Sequence, residues 1–170
     1  MNVLYLSKRF LHNKLIVGIL VAIGVVLAAV PVLAHEDEDP PPPPGSIAEL
    51  QSEDGGYNPY GCFGQTDNPH KSSNTWAANV HAKSECAVNV PEIHVETQLY
   101  KEICPICGFA VIGPLAPDWG VNEKLLEVNS AGPSPCENGK YKGTSSHSVI
   151  GANGIQYIAF TENIQIINNC

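Results

Sequence analysis

Basic residues are scarce in this sequence of 170 residues, which contains 9 Lys and Arg against 17 Asp and Glu. All 17 acidic residues follow Ala34, whereas three of the nine basic residues precede it, so the chain beyond Ala34 carries a formal charge of −11. Such a surface repels phosphate backbones and anionic lipid headgroups. We therefore expect no nucleic-acid partner.

Sequence signatures of several enzyme classes are also missing. There is no Gly-x-Ser-x-Gly elbow, His-Glu-x-x-His pair, phosphate-cradling Gly-rich loop or EF-hand loop. The sequence thus favours a non-enzymatic domain and offers no catalytic residue, cofactor or metal site. No second long apolar run follows residue 34, so any membrane contact is expected through the N-terminal segment alone.

The N-terminal segment has the pattern of an export signal. Three basic residues among the first fourteen precede an unbroken apolar run from Leu15 to Ala34. Val32 and Ala34 are the small residues expected at the −3 and −1 positions, which predicts cleavage after Ala34 and a protein in the medium or the cell envelope. The alternative is an uncleaved anchor, because this run is long enough to span a bilayer, with the domain outside.

Residues 35–56 are predicted to be an acidic, proline-rich disordered spacer. His35 to Asp39 contains four acidic residues, and Pro40 to Pro44 are five consecutive prolines, which hold a semi-rigid extended geometry. Residues 46–56 are mostly polar and contain two glycines. We place the folded domain at residues 57–170.

Period-two alternation of apolar residues predicts strands in that domain. Two such strands are expected over 76–83 and 93–100, the second starting near Pro91 because proline cannot donate to a central ladder. A third covers 109–112. Residues 115–121 are interpreted as a loop, and 123–128 as either a strand or one helical turn.

Asn153-Gly154 predicts a hairpin between strands at 142–150 and 155–161, with a last edge strand from Ile164. Six or seven short strands and no convincing helix indicate an all-β fold. We expect a small disulfide-stapled sandwich or open barrel.

Six cysteines in an exported chain imply disulfides. Fifteen pairings are possible, and the sequence does not choose among them. We favour Cys62 with Cys86, Cys136 with Cys170, and the local pair Cys104 with Cys107. The Cys104-Pro105-Ile106-Cys107 spacing is also that of thiol-disulfide oxidoreductases, although the following segment does not resemble the helix start that such a site needs. A zinc ribbon would need a second close pair.

Three histidines are candidate ligand or turn residues: His70, His94 and His147. His70 follows Asn68-Pro69, where a turn residue bonding to backbone is the plain interpretation. His94 shares a predicted strand face with Glu96, and an alternating strand places polar residues on its solvent side. His147 lies among serines, which in principle could supply a nucleophile and its base.

The segment beginning Cys62-x-Gly64-Gln65-Thr66-x-x-Pro69-His70-x-Ser72 resembles the opening of a loose group of uncharacterised small exported bacterial proteins. The resemblance extends over residues 60–170 through these further positions: Lys83, Cys86, Leu99, Tyr100, the 136–141 segment, His147, Gly154, Tyr157 and Cys170. It implies export and a disulfide-bridged β domain, but no activity. Cys104 and Cys107 are additions to the pattern.

These observations predict an exported, non-enzymatic β domain of the bacterial surface or medium, which binds an envelope or extracellular ligand or serves a structural role. Two alternatives from other classes stay open. One is an envelope thiol-disulfide oxidoreductase that uses Cys104 and Cys107. The other is a small hydrolase or metal protein that depends on His70, His94 or His147.

Overall fold

The computed structural model describes residues 45–170, and the predicted signal segment and proline run lie outside the described residues. One long strand, β5, organises the domain. The strands in chain order are β1 (Ser46–Glu49), β2 (Gln51–Ser52), β3 (Phe63–Thr66), β4 (His70–Lys71), β5 (Ala78–Cys104), β6 (Gly108–Val111), β7 (Ala116–Ala131), β8 (Gly139–Ile150) and β9 (Gln156–Ile167). All the pairings between these strands are antiparallel.

The sheet curls into a nearly closed barrel. Its main path runs β1-β3-β5-β8-β9-β2, while β4, β6 and β7 also pair with β5. The two ends of this path, β1 and β2, are separated only by Leu50, so the segment 46–52 connects β3 with β9. The prediction of an all-β, disulfide-stapled domain is confirmed.

Strand β5 merges two predicted strands. The expected start at Pro91 is wrong, because β5 continues through this residue. The pairing with β7 shifts register between Glu85 and Val90, and Pro91 has no partner in the registers with β7 or β8. The proline is therefore accommodated in an irregular part of the strand, where no ladder hydrogen bond is required of it.

Four other predicted boundaries change. Residues 46–52, which sequence analysis assigned to the spacer, form strands, and Leu50 between them is fully buried. Residues 115–121 are not a loop, since β7 begins at Ala116. Trp76 is exposed with a positive φ of 58° and precedes β5. The expected separate edge strand after residue 161 is the second half of β9.

Two apolar clusters form the core. The first includes Leu50, Val90, Ile93 and Val149, and the second includes Val80, Leu99, Tyr141 and Ile167. Along β5, β8 and β9 the inward residues between the two clusters are polar, as described below. Burial of the apolar side chains stabilises the fold by about 25 cal/mol for each Å² removed from water.

Three disulfides join the pairs that sequence analysis favoured. Cys62 bonds Cys86, Cys104 bonds Cys107 and Cys136 bonds Cys170. Cys62 and Cys86 belong to the first apolar cluster, and Cys136 belongs to the second. Two of the bonds therefore fasten the two parts of the core, whereas the third closes a hairpin tip. In the described part of the chain, no helix is long and apolar enough to cross a membrane.

Candidate functional site

A layer of polar side chains lies inside the barrel between the two apolar clusters. Its members are all buried and come from β3, β5, β8 and β9: Thr66, Ser84, Thr97, Ser145, His147 and Thr161. The strand alternation that points Val95 and Val149 inward also points Thr97 and His147 inward. Every member bonds at least one other member.

Thr97 fixes the direction of these hydrogen bonds, because its hydroxyl bonds a backbone carbonyl, which can only accept. Thr97 Oγ1 donates to the carbonyl of Thr144 at 3.2 Å, so Ser145 Oγ must donate to Thr97, at 2.9 Å. Thr66 in turn donates to Ser145 at 2.7 Å. Because a hydroxyl has one proton, Thr161 must donate to Thr66.

His147 completes the chain as the Nε2–H tautomer. Since the Thr161 proton is already used, the ring donates from Nε2 to Thr161 Oγ1, at 2.8 Å. The unprotonated Nδ1 then accepts from Ser84 Oγ, at 3.0 Å. Ser84 also lies 3.2 Å from the His94 carbonyl, and its single proton serves only one of these two acceptors.

Burial lowers the pKa of His147 to about 4 from its ordinary 6.5. A charged ring would free the Ser84 proton for the His94 carbonyl and so add a hydrogen bond, which contributes about 1 kcal/mol. Burying an unpaired charge costs several kcal/mol. The second effect is larger, so the ring is neutral at pH 7.

The Ser84–His147 pair is closed to substrate. Ser84 is 0 % exposed and His147 1 % exposed, and both nitrogens of the ring are engaged by hydroxyls of the same layer. A nucleophile and its base must reach the reacting atom of a substrate. This arrangement instead satisfies polar groups in a core, which is its structural role.

The structure does not bring the three candidate histidines together. His70 lies on β4, where Nδ1 donates to the carbonyl of Asn68 at 3.1 Å and the ring stacks on His81. The bond to backbone agrees with its sequence context, but His70 lies on a strand and not in a turn. His94 lies on the outer face of β5, 3.3 Å from Glu92. The described residues contain no group of three or more His, Cys, Asp or Glu side chains arranged to hold a metal ion.

The Cys104–Cys107 disulfide lies at the tip of the β5–β6 hairpin. The Cys107 amide donates to the Cys104 carbonyl at 3.1 Å and approaches the Cys104 sulfur at 2.9 Å. Residues 105–107 form the turn and β6 follows at once, so no helix N-terminus faces either sulfur. The main electrostatic device that lowers thiol pKa in oxidoreductases is absent from this tip.

An open groove of about 420 Å³ crosses the outer face of β5, β8 and β9. Two rows of directly paired residues form its floor: Glu96, Ser146 and Phe160 in one row, and Gln98, Thr144 and Glu162 in the other. Leu115 and Tyr100 border it. We call this site the outer groove. Its volume falls in the range of roughly 300–1,000 Å³ that is usual for small-molecule sites.

The first row of the outer groove presents side chains that the protein itself does not use. Phe160 is 74 % exposed, although it is a large aromatic residue. Among the described residues, Glu96 and Ser146 of this row make no side-chain hydrogen bond or ion pair, and neither does Thr144 of the second row. These groups are available to a ligand.

In the second row of the outer groove, Gln98 and Glu162 are held in place by contacts within the protein. The Tyr100 hydroxyl donates to Gln98 Oε1 at 3.0 Å, and Lys142 pairs with Glu162 at 3.2 Å. The Lys142 ammonium also lies over the rings of Tyr100, 5.2 Å from the centroid, and Phe109. A wall fixed before binding loses less side-chain freedom when a ligand arrives.

A second concavity, of about 600 Å³, lies beside the turn that follows β2. Three of its lining residues bond one another: Ser52 Oγ donates to Asp54 at 2.5 Å and accepts from the Gly56 amide at 2.9 Å. These contacts also lower the pKa of Asp54, with the Ser52 hydrogen bond as the largest cause. Most residues that line this concavity lie outside the strands, whereas the floor of the outer groove is built on three paired strands. We therefore take the outer groove as the candidate functional site.

Sequence reasoning missed the outer groove. The sequence predicts a strand over 155–161 but does not tell which face of it carries Phe160, and it connects Glu96 with His94 alone. The sequence does contain a signal for Phe160. In 157–161, one set of residues (Tyr157, Ala159 and Thr161) alternates with a second set (Ile158 and Phe160). Since one set must face outward, an aromatic residue on either set would be worth attention.

Comparison with known proteins found no relative of this chain. No protein-family model, no curated protein and no solved structure matches this chain.

Proposed function

We propose that this chain is an exported, non-enzymatic β domain of the bacterial cell surface or medium, and that it binds an envelope component in the outer groove. The observation that carries the proposal is the first row of the groove. There, the exposed ring of Phe160 stands next to Ser146, and Glu96 follows on the next strand; the side chains of Ser146 and Glu96 have no partner among the described residues. A large aromatic residue on a soluble surface marks an interaction site when it belongs to a concave patch with polar groups.

Export is part of the proposal and rests on two independent observations. The basic and apolar N-terminal segment predicts it. Three disulfides and no free cysteine within the described residues agree with an oxidising compartment. N-terminal sequencing of protein from the medium or the envelope should give His35 as the first residue. Recovery of the intact chain in membranes alone would assign residues 15–34 to an anchor.

Cosedimentation with isolated cell envelopes of the source organism tests the binding function. We expect the wild-type protein to sediment with them and the Phe160→Ala variant to stay in the supernatant. Trp119→Ala is the matched control, because Trp119 is also an exposed aromatic residue, at 63 %, but does not line the outer groove. Equal sedimentation of the wild type and Phe160→Ala, or no sedimentation of either, would contradict the proposal.

The alternative enzymatic functions have weaker support. A histidine-dependent hydrolase would have to use His147, which is sealed in the core, or His70 and His94, which lie apart on β4 and β5. An oxidoreductase would have to use Cys104 and Cys107 without a neighbouring helix. Neither arrangement presents a reactive group beside the outer groove.

A further inference from the structure

We infer that the ligand of the outer groove is a neutral glycan, whose sugar ring stacks on Phe160 while its hydroxyl groups bond the polar floor. This inference rests on the proposed binding function and names the chemical class of the ligand. It follows from which kinds of group the groove offers and from how they are spaced.

The groove combines one apolar face with acceptors and donors of hydroxyl type. The Phe160 ring offers a flat apolar surface to the C–H face of a sugar. On the neighbouring strand β8, the hydroxyls of Ser146 and Thr144 both donate and accept hydrogen bonds. One strand further, the Glu96 carboxylate accepts hydrogen bonds from sugar hydroxyls. A polyhydroxylated ring has an apolar face and a polar edge, so it uses both parts of this surface.

The dimensions of the groove also suit a sugar. Glu96, Ser146 and Phe160 lie on three adjacent strands, which span about 10 Å, and the second row lies about 7 Å along the strands from the first. This floor has the scale of a mono- or disaccharide. The volume of about 420 Å³ is consistent with that size.

The charges of the groove disfavour other ligand classes. Glu96 and Glu162 both line it, and they repel phosphate groups and anionic lipids. Glu162 is already paired with Lys142 at 3.2 Å, so the groove does not offer two free carboxylates to a polycation. A purely apolar ligand would bury the carboxylate of Glu96 without a partner, which is unfavourable.

Chemical treatment of the envelopes before cosedimentation distinguishes a glycan from a protein partner. Periodate cleaves the vicinal diols of sugars, and subsequent borohydride reduction removes the aldehydes that could capture lysines. Parallel samples receive proteinase K. We expect periodate treatment to reduce the bound wild-type protein at least tenfold, and protease treatment to leave binding within twofold. Retained binding after periodate, or its loss after protease, would overturn the assignment to a glycan that carries vicinal hydroxyl groups.

The untreated and the treated envelopes distinguish a failure of the binding function from a failure of the glycan assignment. If the wild type binds untreated envelopes and Phe160→Ala does not, the binding function stands whatever the periodate arm gives. Phe160→Ala should weaken binding about tenfold or more, and a tenfold change corresponds to about 1.4 kcal/mol. Glu96→Gln keeps the shape of the side chain and should weaken binding only a few-fold, because an amide still accepts hydrogen bonds.

The salt dependence of binding tests independently whether the ligand is uncharged. Raising NaCl from about 0.05 M to about 0.5 M shortens the screening length severalfold, which weakens ionic binding but not stacking and hydrogen bonding of an uncharged sugar. We expect the bound fraction of wild type on untreated envelopes to change by less than twofold. A tenfold loss would overturn the inference in favour of a charged ligand.

Discussion

Gly64 of β3 lies directly against the imidazole of His147 on β8. A Cβ added to Gly64 would stand 2.3 Å from the ring carbons Cγ and Cδ2. Real Cβ contacts are much longer, so the absence of a side chain at residue 64 is a condition for placing this ring in the core. The glycine and the histidine, 83 positions apart in the chain, form one packing unit.

Gly64→Ala should therefore destabilise the domain by about 1–3 kcal/mol, the usual effect of overpacking a core. The loss should shrink in a His147→Ser background, because the ring that meets the new methyl group is gone. Urea unfolding of the wild type, the two single variants and the double variant measures this coupling. Additive losses would show that the contact with His147 is not what excludes a side chain at residue 64.

The buried His147 predicts a specific pH dependence of stability. Its pKa is about 4 in the folded protein and near 6.5 when exposed, so the unfolded chain takes up the proton first as the pH falls. Its contribution is fully present above about pH 6.5 and is lost between pH 6.5 and 4, with a total of about 3 kcal/mol. Unfolding by urea at pH 7, 5.5 and 4 should show this extra loss in the wild type relative to His147→Gln.

Parallel pH profiles of these two proteins would contradict the assignment of a depressed pKa to His147. The ring can also be followed directly by NMR in the wild type, where it should titrate near pH 4. The hydrogen-bond partners of the ring are hydroxyls, which do not ionise between pH 4 and 7. A titration of the ring near pH 6.5 would therefore mean that it is accessible to water.

The disulfides should contribute unequally to stability. Cys62 and Cys86 are 24 residues apart, and the chain-entropy model gives about 3 kcal/mol for a loop of this length. The double substitution Cys62→Ser with Cys86→Ser removes the bond without leaving a thiol to mispair. We expect its melting temperature to fall by more than that of the Cys104→Ser, Cys107→Ser control. Equal melting temperatures of the wild type and the Cys62–Cys86 double variant would refute this ranking.

The Cys104–Cys107 bond should serve structure only. It closes a separation of just three residues, so its removal changes the entropy of the unfolded chain little. We expect the double serine variant to be exported and folded with a small loss of stability. In an insulin-reduction assay, the wild type should stay near background. Turnover that disappears in the double variant would reassign the domain to thiol-disulfide exchange.

Local sequence pattern predicted those parts of the fold whose signal is local. The alternation over 93–100 predicted a strand, and Ile93, Val95 and Leu99 on one of its faces are fully buried. Asn153-Gly154 predicted the β8–β9 hairpin, where Gly154 has a φ of 75°. In both cases neighbouring residues alone determine the geometry.

Other parts depend on distant partners and could not be predicted in this way. Leu50 lies in a polar stretch, yet it is fully buried because 46–52 connects β3 with β9. Pro117 and Gly120 suggested a loop, but among the described strands β7 pairs only with β5, and proline is tolerated on such an edge. His147 and Ser145 occupy core positions because hydroxyls on three other strands satisfy them.

The candidate site belongs to this second group. Glu96, Ser146 and Phe160 come from three strands, and only the β5–β8–β9 register places them in one row. Within each segment, the alternation alone does not tell which set of side chains faces outward. The outer groove therefore becomes visible only when the pairing of the strands is known.

An NMR titration of the exported protein tests the outer groove most directly. The probe is the oligosaccharide fraction released from the source envelopes by mild acid, added to protein labelled with ¹⁵N. We predict amide shifts concentrated at Gln98, Ser146 and Phe160, with none at the Cys104–Cys107 tip or around Trp119, and the loss of these shifts in Phe160→Ala. Shifts elsewhere on the domain, or no shifts at saturating oligosaccharide, would contradict the account.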